Sequence, residues 1–190
     1  KVLVMGLGLL GGGIATTKWL VKHGAKVTVT DLKSRADLAD SMKSLGTAAK
    51  RIKFVLGKHN ESDFRSHDII VVNPAVPKES QFLKIALGSG AQLENEATLF
   101  FRFCKNPIIT VTGTRGKTTT VNWIHHFLKQ KYPQAVLTGN SPQHPYLKEL
   151  DRLDSKTPVV VEISSWHLEF FNRPLPPPHI AIITNLYPDH

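Results

Sequence analysis

The chain reads IITVTGTRGKTTT over residues 108–120: a short apolar run, a turn with two glycines, and the start of a helical pattern. At a strand–turn–helix of this kind, backbone N–H groups surround phosphate oxygens, the lysine reaches the terminal phosphates and the next hydroxyl holds Mg²⁺. The full spacing G-x-x-x-x-G-K-[ST] is not met, because Val111 stands at the position of the first glycine. The short form T-G-T-x-G-K-T still predicts a phosphate-binding loop, and a chance Gly-Lys-Thr turn is the alternative.

Apolar runs like residues 108–112 recur along the chain and alternate with longer amphipathic stretches. The runs are β-branched and nearly free of charge, which is typical of parallel strands buried on both faces. The alternation predicts an α/β fold with parallel sheets covered by helices. The predicted strands are Val2–Met5, Val27–Thr30, Ile69–Val72, Ile108–Thr112, Val159–Ile163 and Ile180–Thr184, and the predicted helices are Thr16–His23, Gln81–Leu87 and Thr118–Lys131.

The chain is long enough for one large domain or two small ones, and two interruptions mark its organisation. Asn106-Pro107 stands just before a new strand and predicts a domain boundary between residues 1–105 and 106–190. The proline-rich residues 173–178 cannot be helical and are predicted to be a stiff connector into the last strand. Because the chain opens at Lys1 directly on a strand and stops at His190, we expect it to be a piece of a longer protein.

The composition excludes several classes of protein. Of the net charge of +9, residues 1–60 carry +8, from 11 Lys and Arg against 3 Asp and Glu. These lysines are scattered and have no aromatic side chains between them, which favours a solvated surface or a small anionic ligand over nucleic acid. The single cysteine, Cys104, excludes a disulfide scaffold and fits a reducing compartment. No uncharged apolar run approaches the roughly 20 residues of a membrane span, and no signal peptide is predicted.

A second glycine turn follows the first predicted strand. Residues 6–11 read Gly-Leu-Gly-Leu-Leu-Gly, which fits G-x-G-x-x-G and lets an anionic group approach a helix N-terminus. Asp31 ends the second strand 20 residues after Gly11, where a ribose-binding acid would lie, and Lys33 is placed to meet a phosphate. Taken alone, the turn indicates an NAD-type site or another nucleotide or phosphate site, and glycines that serve only packing are the alternative.

Polar side chains also follow two strands of the second half. Glu162 comes directly after three valines, at a strand end where an acid beside the phosphate loop would hold Mg²⁺. Asp189 and His190 close the chain just past the last predicted strand, at the same edge of the sheet. We therefore predict a metal role for His190, although a lone histidine is more often a surface or core residue.

Taken together, the motifs resemble the Mur ligase family of peptidoglycan synthesis, over the whole chain. The first hundred residues are most similar to its D-glutamate-adding branch. The resemblance implies a Rossmann-like UDP-binding domain at residues 1–105 and an incomplete P-loop ATPase-type central domain at residues 106–190. The residues that carry it are 6–11, 27–31, 73–75, Glu96 with Leu99 and Phe100, 113–119, 162–165, Thr184, Asn185, Asp189 and His190.

The resemblance implies an ATP-dependent amide-bond ligase with Mg²⁺ as its metal. It would join D-glutamate to UDP-N-acetylmuramoyl-L-alanine through an acyl phosphate. These small molecules would be its partners, without nucleic acid or membrane insertion, and we expect a monomer in the bacterial cytoplasm. The family's carbamylated lysine and C-terminal domain would lie beyond His190, so we expect no turnover by this chain alone.

The resemblance also assigns roles to single residues. Lys117, Glu162 and His190 would be catalytic, and Thr118, Glu162 and His190 would hold metal. The glycine turn at residues 6–11 would bind UDP and not NAD. The expected ATP-binding residues are Gly113, Thr114, Arg115, Gly116, Lys117, Thr118 and Thr119, and the expected UDP-sugar residues are Gly8, Leu9, Leu10, Asp31, Leu32, Lys33, Ala75, Asn140, Ser164 and His167.

Three residues depart from the family pattern. Arg115 stands where an asparagine is common, His167 where a glutamine is common, and Ala75 where a glycine is usual. The alternatives left open are an L-alanine-adding Mur ligase, a folylpolyglutamate-synthase relative, an NAD-dependent dehydrogenase and a binding module without catalysis. The dehydrogenase would explain residues 6–31 but leave the second loop and Glu162 without a role.

Overall fold

The computed structural model describes residues 1–9, 11–154 and 156–188, which fall into two compact units, Lys1–Glu96 and Ala97–His190. Each unit contains one parallel sheet. The predicted boundary after residue 105 lies a short way along the chain from this division and stays a prediction. Within the described ranges, no helix combines the length and the apolar character that crossing a membrane requires.

The first unit is a five-stranded sheet in the order β3-β2-β1-β4-β5, with every neighbouring pair parallel. The strand order reverses between β1 and β4, which opens a crevice at the carboxyl ends of these strands. The strands are β1 (Val2–Met5), β2 (Val27–Asp31), β3 (Ile52–Leu56), β4 (Ile69–Val72) and β5 (Gln92–Glu94). The helices are α1 (Gly12–Lys22), α2 (Ala39–Leu45), a 3₁₀ helix (Gly46–Arg51), α3 (Glu61–Ser66), α4 (Gln81–Gly88) and α5 (Glu96–Phe103), which continues into the second unit.

The second unit is a four-stranded parallel sheet in the order β7-β8-β6-β9. Its strands are β6 (Ile108–Thr112), β7 (Val136–Gly139), β8 (Val159–Glu162) and β9 (Ile180–Ile183). Its helices are α6 (Lys117–Lys131), a 3₁₀ helix (Leu150–Arg152) and α7 (Ser165–Leu168). Valines at 111, 121 and 160 form a buried cluster that joins α6 to the two central strands.

All six predicted strands are present, and their ends differ from the predicted ends by at most one residue. The parallel α/β fold is therefore confirmed. One detail is wrong: β9 is an exposed edge and not buried on both faces, with Ile183 70% exposed. Helix α1 begins at Gly12, four residues before the predicted start, because the turn already ends at Gly11, whose φ is 98°. Residues 173–178 are irregular and lead into β9, as predicted.

Candidate functional sites

The phosphate loop of the second unit, residues 113–116, links β6 to α6. Gly113 and Gly116 have φ values of 137° and 81°, which favour glycine. A Cβ atom on Gly113 would collide with Thr184 Oγ1 and lie 2.9 Å from the carbonyl oxygen of Asn185. The glycine at 113 is therefore required both by its backbone conformation and by the chain that crosses it.

Lys117 is held over this loop. Its Nζ donates to the carbonyl oxygens of Gly113, at 2.7 Å, and Thr114, at 3.1 Å. The N-terminus of α6 begins after Gly116; among the described residues no side chain caps it and no acid lies in its first turn. Unpaired amides and the helix dipole at such an end attract anions. The loop thus places one ammonium group and the first amides of α6 together.

Val111 explains why the longer glycine spacing is absent. It is fully buried in β6 and packs against Val121 of α6 and Val160 of β8. The position that holds glycine in the longer motif is part of the strand here, and the turn begins only at Gly113. A glycine at 111 would remove a core side chain and gain nothing for the loop.

Glu162 lies at the carboxyl end of β8. It pairs in register with Val111 of β6 and Gly139 of β7, so it stands beside the start of the phosphate loop. Glu162 is 7% exposed, and no hydrogen bond or ion pair engages its carboxylate among the residues that the structure describes. Its backbone oxygen accepts from the Tyr146 hydroxyl, at 2.8 Å, and from the backbone N–H of Asn140, at 2.9 Å. The strand end is fixed while the carboxylate is left for a ligand.

The expected metal ligands are only partly visible. Thr118 is exposed in the first turn of α6, and Glu162 lies at the end of the adjacent β8. His190 lies outside the described residues, as does Asp189. Residues 1–9, 11–154 and 156–188 contain no group of three His, Cys, Asp or Glu side chains arranged to hold a metal. The metal role of these residues stays a prediction.

Ser164 and His167 lie in the turn that follows β8. The Oγ of Ser164 is 2.7 Å from Nδ1 of His167, whose side chain is 1% exposed. The ring of His167 packs 5.0 Å from that of Tyr146, which in turn binds the end of β8. The structure thus brings Asn140, Ser164 and His167 around one strand end, and their contact with a sugar-linked substrate stays a prediction.

In the first unit, a cavity of about 320 Å³ lies at the carboxyl ends of the strands. Five of the expected substrate residues line it, whereas Leu9 is exposed and does not, and Leu10 lies outside the described residues. The five are Gly8, Asp31, Leu32, Lys33 and Ala75. The lining residues that sequence reasoning missed are Met5, Gly6, His59, Asn73, Val76, Pro77, Ser80, Gln81 and Phe82.

Asp31 binds the glycine turn of its own unit. One carboxylate oxygen accepts from the backbone N–H groups of Leu7, at 3.0 Å, and Gly8, at 3.4 Å. The other oxygen accepts from the N–H of Lys33, at 2.9 Å. The turn amides that would meet a phosphate in a dinucleotide fold are therefore bound to an internal carboxylate.

A second carboxylate, that of Glu96, lies close to the start of α1. A Cβ atom on Gly12, the first residue of α1, would lie 2.8 Å from one carboxylate oxygen of Glu96 and 3.0 Å from the other. A carboxylate against a helix N-terminus is favoured by the helix dipole. With Asp31 and Glu96 both in place, the geometry argues against a pyrophosphate seated at the start of α1, which is how an NAD-type site works.

His59 is the most informative of the missed residues. Its Nδ1 lies 2.7 Å from Thr30 Oγ1, and its ring stands edge-on to Phe82, 5.0 Å away, and to Phe64, 5.7 Å away. Burial lowers the pKa of His59, and the nearby Asp31 carboxylate opposes this shift. The residue follows β3, and sequence reasoning missed it because β3 itself was not predicted.

The lowered pKa of His59 predicts a pH dependence of stability. The unfolded state binds the proton at a pH near the ordinary value of 6.5, whereas the folded state binds it only at lower pH. The stability that neutral His59 contributes is therefore complete above about pH 6.5 and is lost as the pH falls through its folded pKa. Urea unfolding of the wild type and of His59→Gln at several pH values between about 5 and 8 tests this. We expect a smaller loss of stability on acidification in the variant, and identical pH slopes would contradict the assignment.

The comparisons with known proteins match both halves of the chain. The family "Mur ligase MurD-like, N-terminal domain" matches residues 1–94, and the family "Mur ligase middle domain" matches residues 111–190. The UDP-N-acetylmuramoylalanine–D-glutamate ligase of Borreliella afzelii is 49% identical over 191 residues, which are 99% of this chain and 40% of that protein. The ligase of the same name from Roseiflexus sp. is 46% identical, over 100% of this chain and 40% of that protein. The chain therefore spans about 40% of the length of these curated relatives.

Solved structures agree on the fold. A UDP-N-acetylmuramate:L-alanyl-gamma-D-glutamyl-meso-diaminopimelate ligase from Neisseria meningitides superposes with a TM-score of 0.58 at 17% identity, over 100% of this chain and 61% of that chain. A murein peptide ligase from Psychrobacter arcticus superposes with a TM-score of 0.52 at 16% identity, over 99% of this chain and 43% of that chain. Two adjacent family matches, whole-chain relatives and a shared fold confirm the resemblance: the chain belongs to the Mur ligase family and holds its MurD-like N-terminal and middle domains.

Proposed function

We propose that this chain is the N-terminal and middle part of an ATP-dependent ligase that joins D-glutamate to UDP-N-acetylmuramoyl-L-alanine in peptidoglycan synthesis. The observation that carries the proposal is the identity of 46–49% to ligases of that name over practically the whole chain. The phosphate loop, with Lys117 folded over it, supports ATP as the second substrate. A ligase of such small molecules is proposed to work as a monomer in the bacterial cytoplasm.

The reaction needs phosphate because a carboxylate is a poor acyl donor. The substrate carboxylate attacks the γ-phosphorus of ATP, ADP leaves, and an acyl phosphate forms. The amine of D-glutamate then attacks that carbonyl carbon, and inorganic phosphate leaves as the amide forms. In this chain, Lys117 and the first amides of α6 would neutralise and orient the β- and γ-phosphates.

The donors near the loop suit Mg²⁺, which prefers oxygen ligands. Thr118 offers a hydroxyl in the first turn of α6, and Glu162 offers a buried carboxylate that no described residue engages. A bound magnesium would supply positive charge that reduces the repulsion between the two reacting anions. We propose that Thr118 and Glu162 hold it, and that His190 contributes to a second metal position.

The cavity of the first unit is proposed to take the nucleotide end of the UDP-sugar. Its wall includes three consecutive residues at the end of β2, Asp31, Leu32 and Lys33. Gly8 and Ala75 also line it. Lys33 supplies a cation beside an anionic ligand, in the part of the chain that carries most of the excess positive charge. Asp31 acts chiefly by ordering the glycine turn and the backbone of Lys33.

Phosphate release tests the proposal. With the full-length protein, ATP and Mg²⁺, we expect release only when UDP-N-acetylmuramoyl-L-alanine and D-glutamate are both present, at about 100-fold or more above either alone. The 190-residue chain assayed in parallel is expected to give no turnover. Release with UDP-N-acetylmuramate and L-alanine would contradict the D-glutamate assignment. Tight NADH binding would contradict the argument drawn from Asp31 and Glu96.

A further inference from the structure

Residues 184–187, here called the strap, cross the phosphate loop just after β9. The backbone N–H of Thr184 donates to Thr112 O at 2.9 Å, which continues the pairing of β9 with β6. The N–H of Thr114 then donates to Asn185 O at 3.2 Å, and the N–H of Tyr187 donates to Thr114 Oγ1 at 3.0 Å. The strap is therefore bound to the loop along its length and does not merely pass near it.

One side chain of the strap, that of Asn185, binds both backbone polar groups of Arg115 in the loop. Oδ1 of Asn185 accepts from the backbone N–H of Arg115 at 2.9 Å, and Nδ2 donates to the carbonyl oxygen of Arg115 at 3.0 Å. The Thr184 hydroxyl donates to the same carbonyl at 2.6 Å. A carboxamide is the side chain that offers a donor and an acceptor in one plane, so a carboxylate of the same size keeps only half of this pair.

This pairing determines which groups of the loop are left for phosphate. The N–H groups of Thr114 and Arg115 point to Asn185, while the carbonyl oxygens of Gly113 and Thr114 accept from Lys117 Nζ. The ammonium group of Lys117 and the amides at the start of α6 are among the groups that remain for an anion. The direction of the Arg115 peptide, and with it the shape of the loop, depends on Asn185.

We propose that Asn185 is a positioning residue for the nucleotide. It makes no phosphate contact itself, but it fixes the Arg115 peptide so that the loop presents Lys117 and the first amides of α6 to the terminal phosphates. This inference rests on the proposed function for the identity of the ligand, ATP or ADP. It goes beyond that function by assigning nucleotide affinity to a side chain outside the glycine motif.

Two substitutions in the full-length protein test the proposal by calorimetric titration with ADP and Mg²⁺. Asn185→Ala removes two hydrogen bonds and is expected to weaken ADP binding about tenfold. Asn185→Asp keeps the acceptor, loses the donor and adds a negative charge beside the polyphosphate, so we expect a loss of about 100-fold that shrinks as the salt concentration rises. Asn172→Asp, at an exposed position just before the connector, is the matched control and is expected to bind ADP like the wild type.

A merely structural role would not produce the same set of results. We expect both variants to bind UDP-N-acetylmuramoyl-L-alanine as the wild type does, and the amide of Arg115, which loses its side-chain partner, to exchange faster with solvent in Asn185→Ala. ADP affinity within twofold of the wild type in Asn185→Ala would overturn the inference, as would equal losses for ADP and the UDP-sugar. A wild type that binds the UDP-sugar but no adenine nucleotide would instead contradict the proposed function, and the inference with it.

Discussion

Replacing Lys117 with alanine in the full-length protein is expected to lower the proposed ligase turnover by about 1000-fold or more. The loop geometry holds Lys117 Nζ directly over the carbonyl oxygens of Gly113 and Thr114. Without it, the charge that develops on the transferring phosphoryl group loses a fixed electrostatic partner. Steady-state phosphate release at saturating substrates measures the effect.

The matched control for this prediction is Lys129→Ala. Lys129 is exposed in the last turn of the same helix, so the variant loses an equal charge far along α6 from the loop. We expect its turnover to stay within about twofold of the wild type, since surface charges away from the site contribute little. A Lys117→Ala enzyme that kept a tenth of the wild-type rate would show that the loop does not bind the reacting phosphates as proposed.

Gly139→Ala is expected to have the largest effect on stability, a loss of about 3 kcal/mol or more in the free energy of unfolding. Gly139 ends β7 with φ 134°, and a Cβ atom there would collide with Glu162 O and lie 2.7 Å from Glu162 N. The obstructing atoms are backbone of the neighbouring strand β8, which cannot rotate away as a flexible side chain would. Urea unfolding followed by tryptophan fluorescence gives the value.

Gly90→Ala separates this collision from backbone strain alone. Gly90 also has a positive φ, 82°, but no atom lies within 4 Å of the position that its Cβ would take. Only the left-handed conformation opposes alanine there, at a cost of about 1 kcal/mol. Equal destabilisation by the two variants would show that β8 yields to the new methyl group. Because a shift of β8 would also move Glu162, Gly139→Ala is expected to weaken the proposed Mg²⁺-dependent activity as well.

The strands that sequence reasoning found share one property, an apolar and β-branched run that is nearly free of charge. Those it missed lack that property: β3 contains Lys53, β5 reads Gln-Leu-Glu, and β7 ends in Thr-Gly. These three strands lie at sheet edges, where one side is open and polar residues are tolerated. Local pattern therefore predicted the central strands of both sheets and, among the four edge strands of the described sheets, only β9, which is apolar throughout.

The candidate site residues also divide into those that a local pattern predicts and those that only the folded structure reveals. Both glycine turns and the acid at residue 162 were recognisable, because phosphate loops and strand ends require particular residue types at fixed spacing. Asp31 was recognised as an acid at a strand end, but its use, to bind the turn amides at Leu7 and Gly8, appears only in the folded unit. His59 carries no motif, and Asn185, although it is one of the residues that carry the family resemblance, had no role assigned to it from sequence. Each acts through partners far away in sequence.

By itself, the sequence determined the parallel α/β class, the positions of the two glycine turns and the family resemblance, because these depend on residue type and short spacing. Only the tertiary structure decided which amides those turns leave open. In the first unit, Asp31 and Glu96 bring carboxylates to the glycine turn, and in the second, Asn185 crosses 70 residues of sequence to hold Arg115. Hydrogen bonds between residues so far apart in sequence form only when the parallel strands align their carboxyl ends at one edge of the sheet. No local sequence pattern encodes that alignment.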